Sequence, residues 1–178
     1  MVNTRAREVF VTRSRIISIL RQELGLRGFL EVETPILSLI AGGATAKPFE
    51  TFHNDLDTKM VLRIAPELYL KRLIVGGLLK VFELGKQFRN EQVDLTHNPE
   101  FTSIELYEAY ADYDDMMEMT EELLCTVVMQ IKGSLKFKIA TKEGEKEINF
   151  QRPWRRISVV SELEIILNRK LPEDFETE

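Results

Sequence analysis

Two stretches of alternating polarity, Val81–Arg89 and Phe101–Tyr110, constrain the fold more than any other part of this chain. Side chains alternate faces along a strand, so each stretch sorts into two sets. In the first, Phe82, Leu84 and Phe88 share one face, and Glu83, Gly85, Gln87, Arg89 and Glu91 share the other. In the second, Thr102, Ile104, Leu106 and Tyr110 lie opposite Phe101, Ser103, Glu105, Tyr107 and Ala109. Each strand thus offers an apolar face to a core and a mixed, charged face to something else. An antiparallel pair often turns its second face to water. Three features disfavour that here. Arg89 and Glu91 project the same way from the strand end. The connection Gln92–Glu100 is long for a hairpin and lacks glycine. Phe101 puts an aromatic ring on the polar face, where a solvated strand has no use for one.

The rest of the chain supplies a frame for this pair. With 178 residues, 44% apolar and 30% charged, it is long enough for one domain with a real core. Val9, Arg13, Ile16, Ile17, Leu20 and Leu24 recur at helical spacing and predict a helix over 4–26, ended by Gly25 and Gly28. A strand is expected over 29–34, stopped by Pro35, with a flexible loop at 41–44. Pro66 suits a first helical position, and a helix runs from Glu67 to Val75, up to Gly76-Gly77. Asp112 can cap a further helix whose buried stripe is Met116, Met119, Leu123, Val127 and Ile131, with Gly133 at its end. The methionines read as core filler. A hairpin over 135–150, turning at Glu143-Gly144, and a short helix over 158–167 follow; the acidic residues 172–178 are expected to fray.

Charge and composition exclude several functions. The net charge is −5 and the pI is near 5.3, so bulk electrostatics give no hold on nucleic acid. The single cysteine, Cys125, rules out an intrachain disulfide and is expected to be a small buried apolar residue. With only His53 and His97, a histidine zinc site is disfavoured. No apolar run is long enough to span a bilayer. Arg5, Arg7, Arg13, Arg15 and Arg21 resemble the bias of a transit peptide, but Glu8 and Glu23 interrupt it and the helical period runs on into the fold.

The charged face carries a guanidinium suited to phosphate, an aromatic suited to a base, and a carboxylate suited to an ammonium group. Together these are the parts needed to hold ATP beside a cationic amino acid. The residues also resemble a known family. Gly28-Phe-Leu-Glu-Val-Glu-Thr-Pro35 is similar to motif 1 of class II aminoacyl-tRNA synthetases. Phe88-Arg89-x-Glu91 followed by His97-x-x-x-Phe101-x-x-x-Glu105 is similar to their motif 2. The closer resemblance is to lysyl-tRNA synthetases, through Gly42-Gly43-Ala44, Arg63-Ile-Ala-Pro-Glu67-Leu-Tyr69, His97-Asn98-Pro99-Glu100-Phe101, Glu105-Leu-Tyr107 and Tyr110-Ala-Asp112-Tyr113. It covers essentially the whole chain, with motif 1 at about 15–36 and motif 2 at about 81–110.

The resemblance implies an α+β fold: part of a class II catalytic domain, a mostly antiparallel sheet flanked by helices. It gives Arg89 the catalytic role, holding the α-phosphate and the lysine carboxylate in line. Asn90, Glu91, His97, Asn98 and Phe101 would join Arg89 around ATP, with Phe101 stacking on adenine and His97 and Asn98 reaching the distal phosphates. Gly43 and Glu67 would take the α-amino group of lysine, and Glu105 and Tyr107 its ε-ammonium. On sequence alone, a helix-dipole role for Glu67 stands equally well. The implied substrates are lysine, ATP with Mg2+, and tRNA(Lys). The implied setting is a cytoplasmic homodimer joined through motif 1, with no membrane partner.

No Gly-x-Gly-x-Gly-x-Glu-Arg run is present, so motif 3 is missing, and nothing resembles an anticodon-reading OB-fold. In the family the Mg2+ carboxylates lie in that later stretch, so none are assigned here. The chain is therefore expected to be a fragment of a lysine–tRNA ligase with little activity alone. Two alternatives are a lysine-ligase paralogue that modifies an elongation factor, and a non-catalytic dimerising or partner-binding module. Aspartyl or asparaginyl specificity is disfavoured, because those substrates call for a cationic partner where this chain has Glu105.

Overall fold

The computed structural model describes residues 3–172 and contains, among them, four helices and eight strands. Residues 1–117 and 118–178 form two compact units. The expected fraying tail lies, from residue 173 onward, outside the described residues.

In the first unit, α1 (Thr4–Leu26) begins where the Asn3 side chain accepts a hydrogen bond from the Ala6 N–H. It ends at Gly28, whose φ of +80° lets the Phe29 N–H return to the Leu24 carbonyl. The expected apolar stripe is only partly covered. Leu24 and Ile19 are buried, Ile16 and Ile17 half-buried, and Val9 and Phe10 exposed. Between α1 and Leu84, Thr102 and Ile104 lies a cleft of about 570 Å³, bridged at one edge by Arg13, which donates to Thr102 Oγ1 at 2.7 Å.

The expected strand after α1 is shorter than its sequence suggests. Only Leu30–Glu31 (β1) pairs, parallel to β5 (Lys80–Phe88), although the Val32 N–H extends the ladder to the Phe82 carbonyl. β5 pairs antiparallel with β6 (Glu100–Glu108), giving the order β1-β5-β6. The register sets Glu83 opposite Glu105, Gly85 opposite Ser103 and Gln87 opposite Phe101, so the facing sets read from the sequence are correct.

A second sheet, in the order β2-β4-β3, was not anticipated: β2 (Leu37–Ser38), β3 (Glu50–His53) and β4 (Thr58–Leu62). These strands are short, and their alternation is interrupted by Pro35 and Pro48. The signal that could have revealed them is the polar turn Asn54–Asp57, with Asp57 at φ 47°. Its last strand leads through the buried residues Arg63, Ile64, Ala65 and Pro66 into α2 (Glu67–Val75). Pro66 sits one residue before the expected position, at the N-cap.

The second unit holds most of α3 (Tyr113–Lys132), the hairpin β7 (Lys136–Thr141) and β8 (Gly144–Asn149), and α4 (Val159–Leu167). Asp112 caps α3 through Oδ1, which accepts from the Asp114 and Asp115 N–H groups. Leu123 and Val127 are buried as expected, while Met116, Met119 and Ile131 are half-buried. α3 also buries a charge on another side of the helix, Glu121, because Arg152 and Arg156 both reach it. Cys125 is half-buried rather than buried, and its thiol donates to the Phe150 carbonyl at 2.9 Å, as does Trp154 Nε1 at 3.0 Å.

Burial opposes ionisation of Glu121, but hydrogen bonds from Arg156 and Arg152 outweigh it and hold the carboxyl below its usual range. A carboxyl lowered in the native state stabilises above the ordinary carboxylate range, and that stability is lost as pH falls through the native value. Glu121→Gln is therefore expected to lower Tm at neutral pH, with the gap from wild type closing on acidification. Thermal unfolding across a pH series checks this; a gap independent of pH would contradict it.

Candidate functional site

The charged face of the β5–β6 pair is more enclosed than expected. Glu83 is 4% exposed and Gln87 1%, because the connection from β4 to α2 runs along this part of β5. The Phe88 N–H donates to the Arg63 carbonyl at 3.1 Å, and Arg63 Nε donates to the Lys86 carbonyl at 3.0 Å. Arg63, itself 4% exposed, pairs with Glu83 at 2.5 Å and also donates to the Thr34 carbonyl and Oγ1. Thr34 Oγ1 in turn donates to the other Glu83 oxygen at 2.6 Å. A Cβ on Gly85 would lie 2.7 Å from Arg63 Nη2, so only glycine leaves room for the guanidinium there. Neither Arg63 nor Glu83 was given a role from sequence. Both stood in the quoted stretches, but their contact spans two separate elements and leaves no local pattern.

Beyond this buried pair the face opens. Glu105 accepts a hydrogen bond from the Tyr107 hydroxyl at 3.0 Å. Burial pushes its carboxyl up, the Tyr107 bond and Arg89 pull it down, and the charges of Glu67 and Glu83 add to the rise, which prevails. The Tyr107 hydroxyl is also pushed up, first by burial and then by Glu105. Glu67, at the start of α2, borders the same space. Its Oε1 is 2.5 Å from Lys71 Nζ, and that ammonium lies 5.9 Å from the centre of the Tyr107 ring.

Gly43 meets this cluster directly. It has a φ of +86°, and a Cβ there would lie 2.9 Å from Glu67 Cβ and 3.6 Å from Glu67 Oε2. The loop expected to be flexible is thus packed against the α2 N-terminus. At the other end of the face, the Arg89 guanidinium lies 5.1 Å from the centre of the Phe101 ring, and Nε donates a long 3.4 Å bond to the Ile64 carbonyl. Between the two ends, both amide atoms of Gln87 and the hydroxyl of Ser103 are buried without a hydrogen-bond partner.

The structure therefore brings Gly43, Glu67, Arg89, Phe101, Glu105 and Tyr107 to one face. The remaining candidates, Asn90, Glu91, His97 and Asn98, are exposed. The Asn90 N–H bonds the Lys47 carbonyl at 2.7 Å. His97 belongs to a turn organised by Asp94, whose carboxylate accepts from the Thr96 and His97 N–H groups and contacts His97 Nδ1 at 2.9 Å. Those bonds, led by the Thr96 N–H, hold the Asp94 carboxyl well below its usual range. Asn98 borders a cleft with Phe10, Arg13, Lys86, Glu100 and Thr102, toward α1. Among the described residues, no group of three or more His, Cys, Asp or Glu side chains is placed to hold a metal ion, and no helix is long and apolar enough to cross a membrane.

Glu105 is an acid whose native pKa is raised. It stabilises the fold below the ordinary carboxylate range, and that contribution is lost as pH rises through the native value. Glu105→Gln is accordingly expected to raise Tm at neutral pH, with the gain vanishing near about pH 4. Calorimetry at both pH values tests this; a lower Tm at neutral pH would overturn it.

Comparison with known proteins identifies a family. The family described as tRNA synthetases class II (D, K and N) matches residues 1–177. The chain is 52% identical to lysine–tRNA ligase cla4 of Cladosporium cladosporioides over 97% of its own length and 29% of that protein. It is 57% identical to lysine–tRNA ligase 2 of Methanosarcina acetivorans over 89% of its length, and 59% identical to lysine–tRNA ligase of Clostridium botulinum over 90%. It spans 30% and 31% of those two relatives.

Proposed function

Because this chain belongs to the class II tRNA synthetases of the D, K and N group, we propose that it forms part of a lysine–tRNA ligase and carries residues that contact lysine directly. The observation that carries this reading is the anionic end of the charged face. Among the described residues, Tyr107 is the one direct hydrogen-bond partner of Glu105, with Glu67 nearby. A carboxylate in a partly desolvated site favours a cationic side chain and penalises an anionic or neutral one, because an unsuitable ligand leaves the charge unpaired. The fit of an ammonium is supported by Lys71, whose own ammonium rests against Glu67 and the Tyr107 ring.

In this proposal Glu67 and the backbone at Gly43 take the α-amino group, and Glu105 with Tyr107 takes the ε-ammonium. ATP lies toward Arg89 and Phe101. A carboxylate oxygen of lysine forms a bond to the α-phosphorus, the bond from that phosphorus to the bridging oxygen breaks, and pyrophosphate leaves. Arg89 orients both reactants and offsets the charge that builds on the α-phosphate. Its terminal nitrogens have no partner among the described residues, and it leaves Phe101 to adenine by turning to phosphate. The buried, unpartnered Gln87 and Ser103 groups support a ligand above this floor. Asn90, Glu91, His97 and Asn98 complete the ATP contacts once their exposed loop closes on it. Magnesium neutralises phosphate charge when bound. Among the described residues no group of three or more His, Cys, Asp or Glu side chains is placed to hold it.

Motif 1, the homodimer it forms, the cytoplasmic setting and transfer to tRNA(Lys) belong to the same proposal. The lysyl-adenylate reaction is expected to be weak or absent with residues 1–178 alone, since the family's remaining ATP ligands lie in a later stretch.

Isothermal titration of the chain with lysine, and with aspartate as control, tests the specificity. Lysine is expected to bind and aspartate not, and Glu105→Gln is expected to weaken lysine at least about tenfold. Preference for aspartate, or undiminished lysine binding by Glu105→Gln, would overturn the assignment.

A further inference from the structure

A carboxylate can receive a ligand's ammonium only if the protein's own cations leave it open. Glu105 has an internal competitor. Arg63 is directed onto the same face, with Nη2 over Gly85, next to Glu83 and diagonal to Glu105 across the strand pair. Adjacent strands lie about 4.8 Å apart, so a modest rotation would carry a guanidinium from Glu83 to Glu105. Arg63 is held against that rotation by the Lys86 and Thr34 carbonyls, by Thr34 Oγ1 and by Glu83, of which a side-chain substitution can remove the last two. Glu83 takes Arg63 Nη1 at 2.5 Å, and Thr34 fixes both partners by accepting from Arg63 and donating to Glu83.

The geometry points to Glu83 as a specificity-determining residue that acts through Glu105: with Thr34, it sequesters Arg63 and so keeps the ammonium site open. This inference rests on the lysine-site reading above and adds to it a residue that touches no ligand. Glu83 is a positioning residue. It is buried, directly opposite Glu105, and unavailable to substrate.

The charged and titratable groups around Glu105 are consistent with this division of roles. Glu67 and Lys71 approach from α2 and pair with each other. Arg89, at the end of β5, packs over Phe101. Tyr107, on β6, donates to Glu105. Arg63 is held at Glu83. No protein cation is hydrogen-bonded or ion-paired to Glu105 among the described residues, although three are nearby.

If Glu83 only held the fold together, Glu83→Gln would strand Arg63 and lower stability, while its natively folded fraction would still bind lysine as wild type does. If it sequesters Arg63, the folded single and double variants differ in lysine affinity in a stated direction. Glu83→Gln releases Arg63 toward Glu105 and blocks the site. The double variant Arg63→Met with Glu83→Gln removes the competitor and reopens it.

Lysine titrations on wild type, Glu83→Gln, the double variant and Thr34→Val, each first checked for native circular dichroism, make the test. Expected are about a tenfold loss for Glu83→Gln, recovery to within about twofold of wild type in the double variant, and a smaller loss for Thr34→Val. A carbon-13 titration of the Glu105 carboxyl should also lie at lower pH in Glu83→Gln than in the double variant, where the Glu83 charge is equally absent, because a guanidinium beside it favours the charged form. Should Glu83→Gln fail to fold, Thr34→Val decides the matter: unchanged lysine affinity there would overturn the inference. Equal losses in the single and double variants would overturn it as well. A wild-type chain that takes up no lysine overturns the functional reading and this inference with it, whereas binding by wild type with indistinguishable variants overturns this inference alone.

Discussion

The buried pair between Arg63 and Glu83 is the interaction on which the first unit depends. Burying a guanidinium and a carboxylate is costly, and it succeeds only where the remaining donors and acceptors are also satisfied. Here Thr34, the Lys86 carbonyl and the Thr34 carbonyl complete the set. Those groups come from the segment after β1, from β5 and from the β4–α2 connection, so one charge pair joins three separated pieces of chain. Losing either partner would strand the other, at a cost of about 3–5 kcal/mol. Glycine at position 85 follows from the same constraint, because the guanidinium fills the space a side chain would need.

That pair also divides the charged face into two regions with different chemistry. Behind it, Glu83 is compensated and closed to ligands. In front, Glu105, Tyr107 and Glu67 form an anionic end bordered by one ammonium, that of Lys71, which is paired with Glu67. Arg89 and Phe101 form the opposite end. Burial without a full counter-ion pushes the Glu105 carboxyl up. A site arranged in this way is less stable than its apolar equivalent, and in the proposed lysine site selectivity for a cation would be the return.

Much of this was legible in the residue order. The helix over 4–26 and the helix over 67–75 coincide with α1 and α2, because amphipathic spacing and glycine stops are local signals. The facing sets of β5 and β6 follow from strict alternation, and the register confirms them. The strands β2, β3 and β4 were not legible, since each is too short for a period to emerge and their pairing is made by partners distant in sequence. Glu121 was hidden for a related reason. Nothing near it in α3 announces a buried charge; Arg152 and Arg156, some thirty residues later, create its niche.

By itself the sequence determined which residues belong to the charged face, because a two-residue period and the spacing from Arg89 through Phe101 to Tyr107 leave few arrangements open. It also placed Glu105 on this face, the carboxylate on which the expectation of a cationic side chain rests. Only the tertiary structure decided which of the carboxylates is available. Glu83 and Glu105 are equivalent in alternation and stand directly opposite each other, yet Arg63 and Thr34 close one and leave the other open. That choice depends on a chain segment folding back along β5 through contacts with no local period, so it was settled in three dimensions and not along the chain.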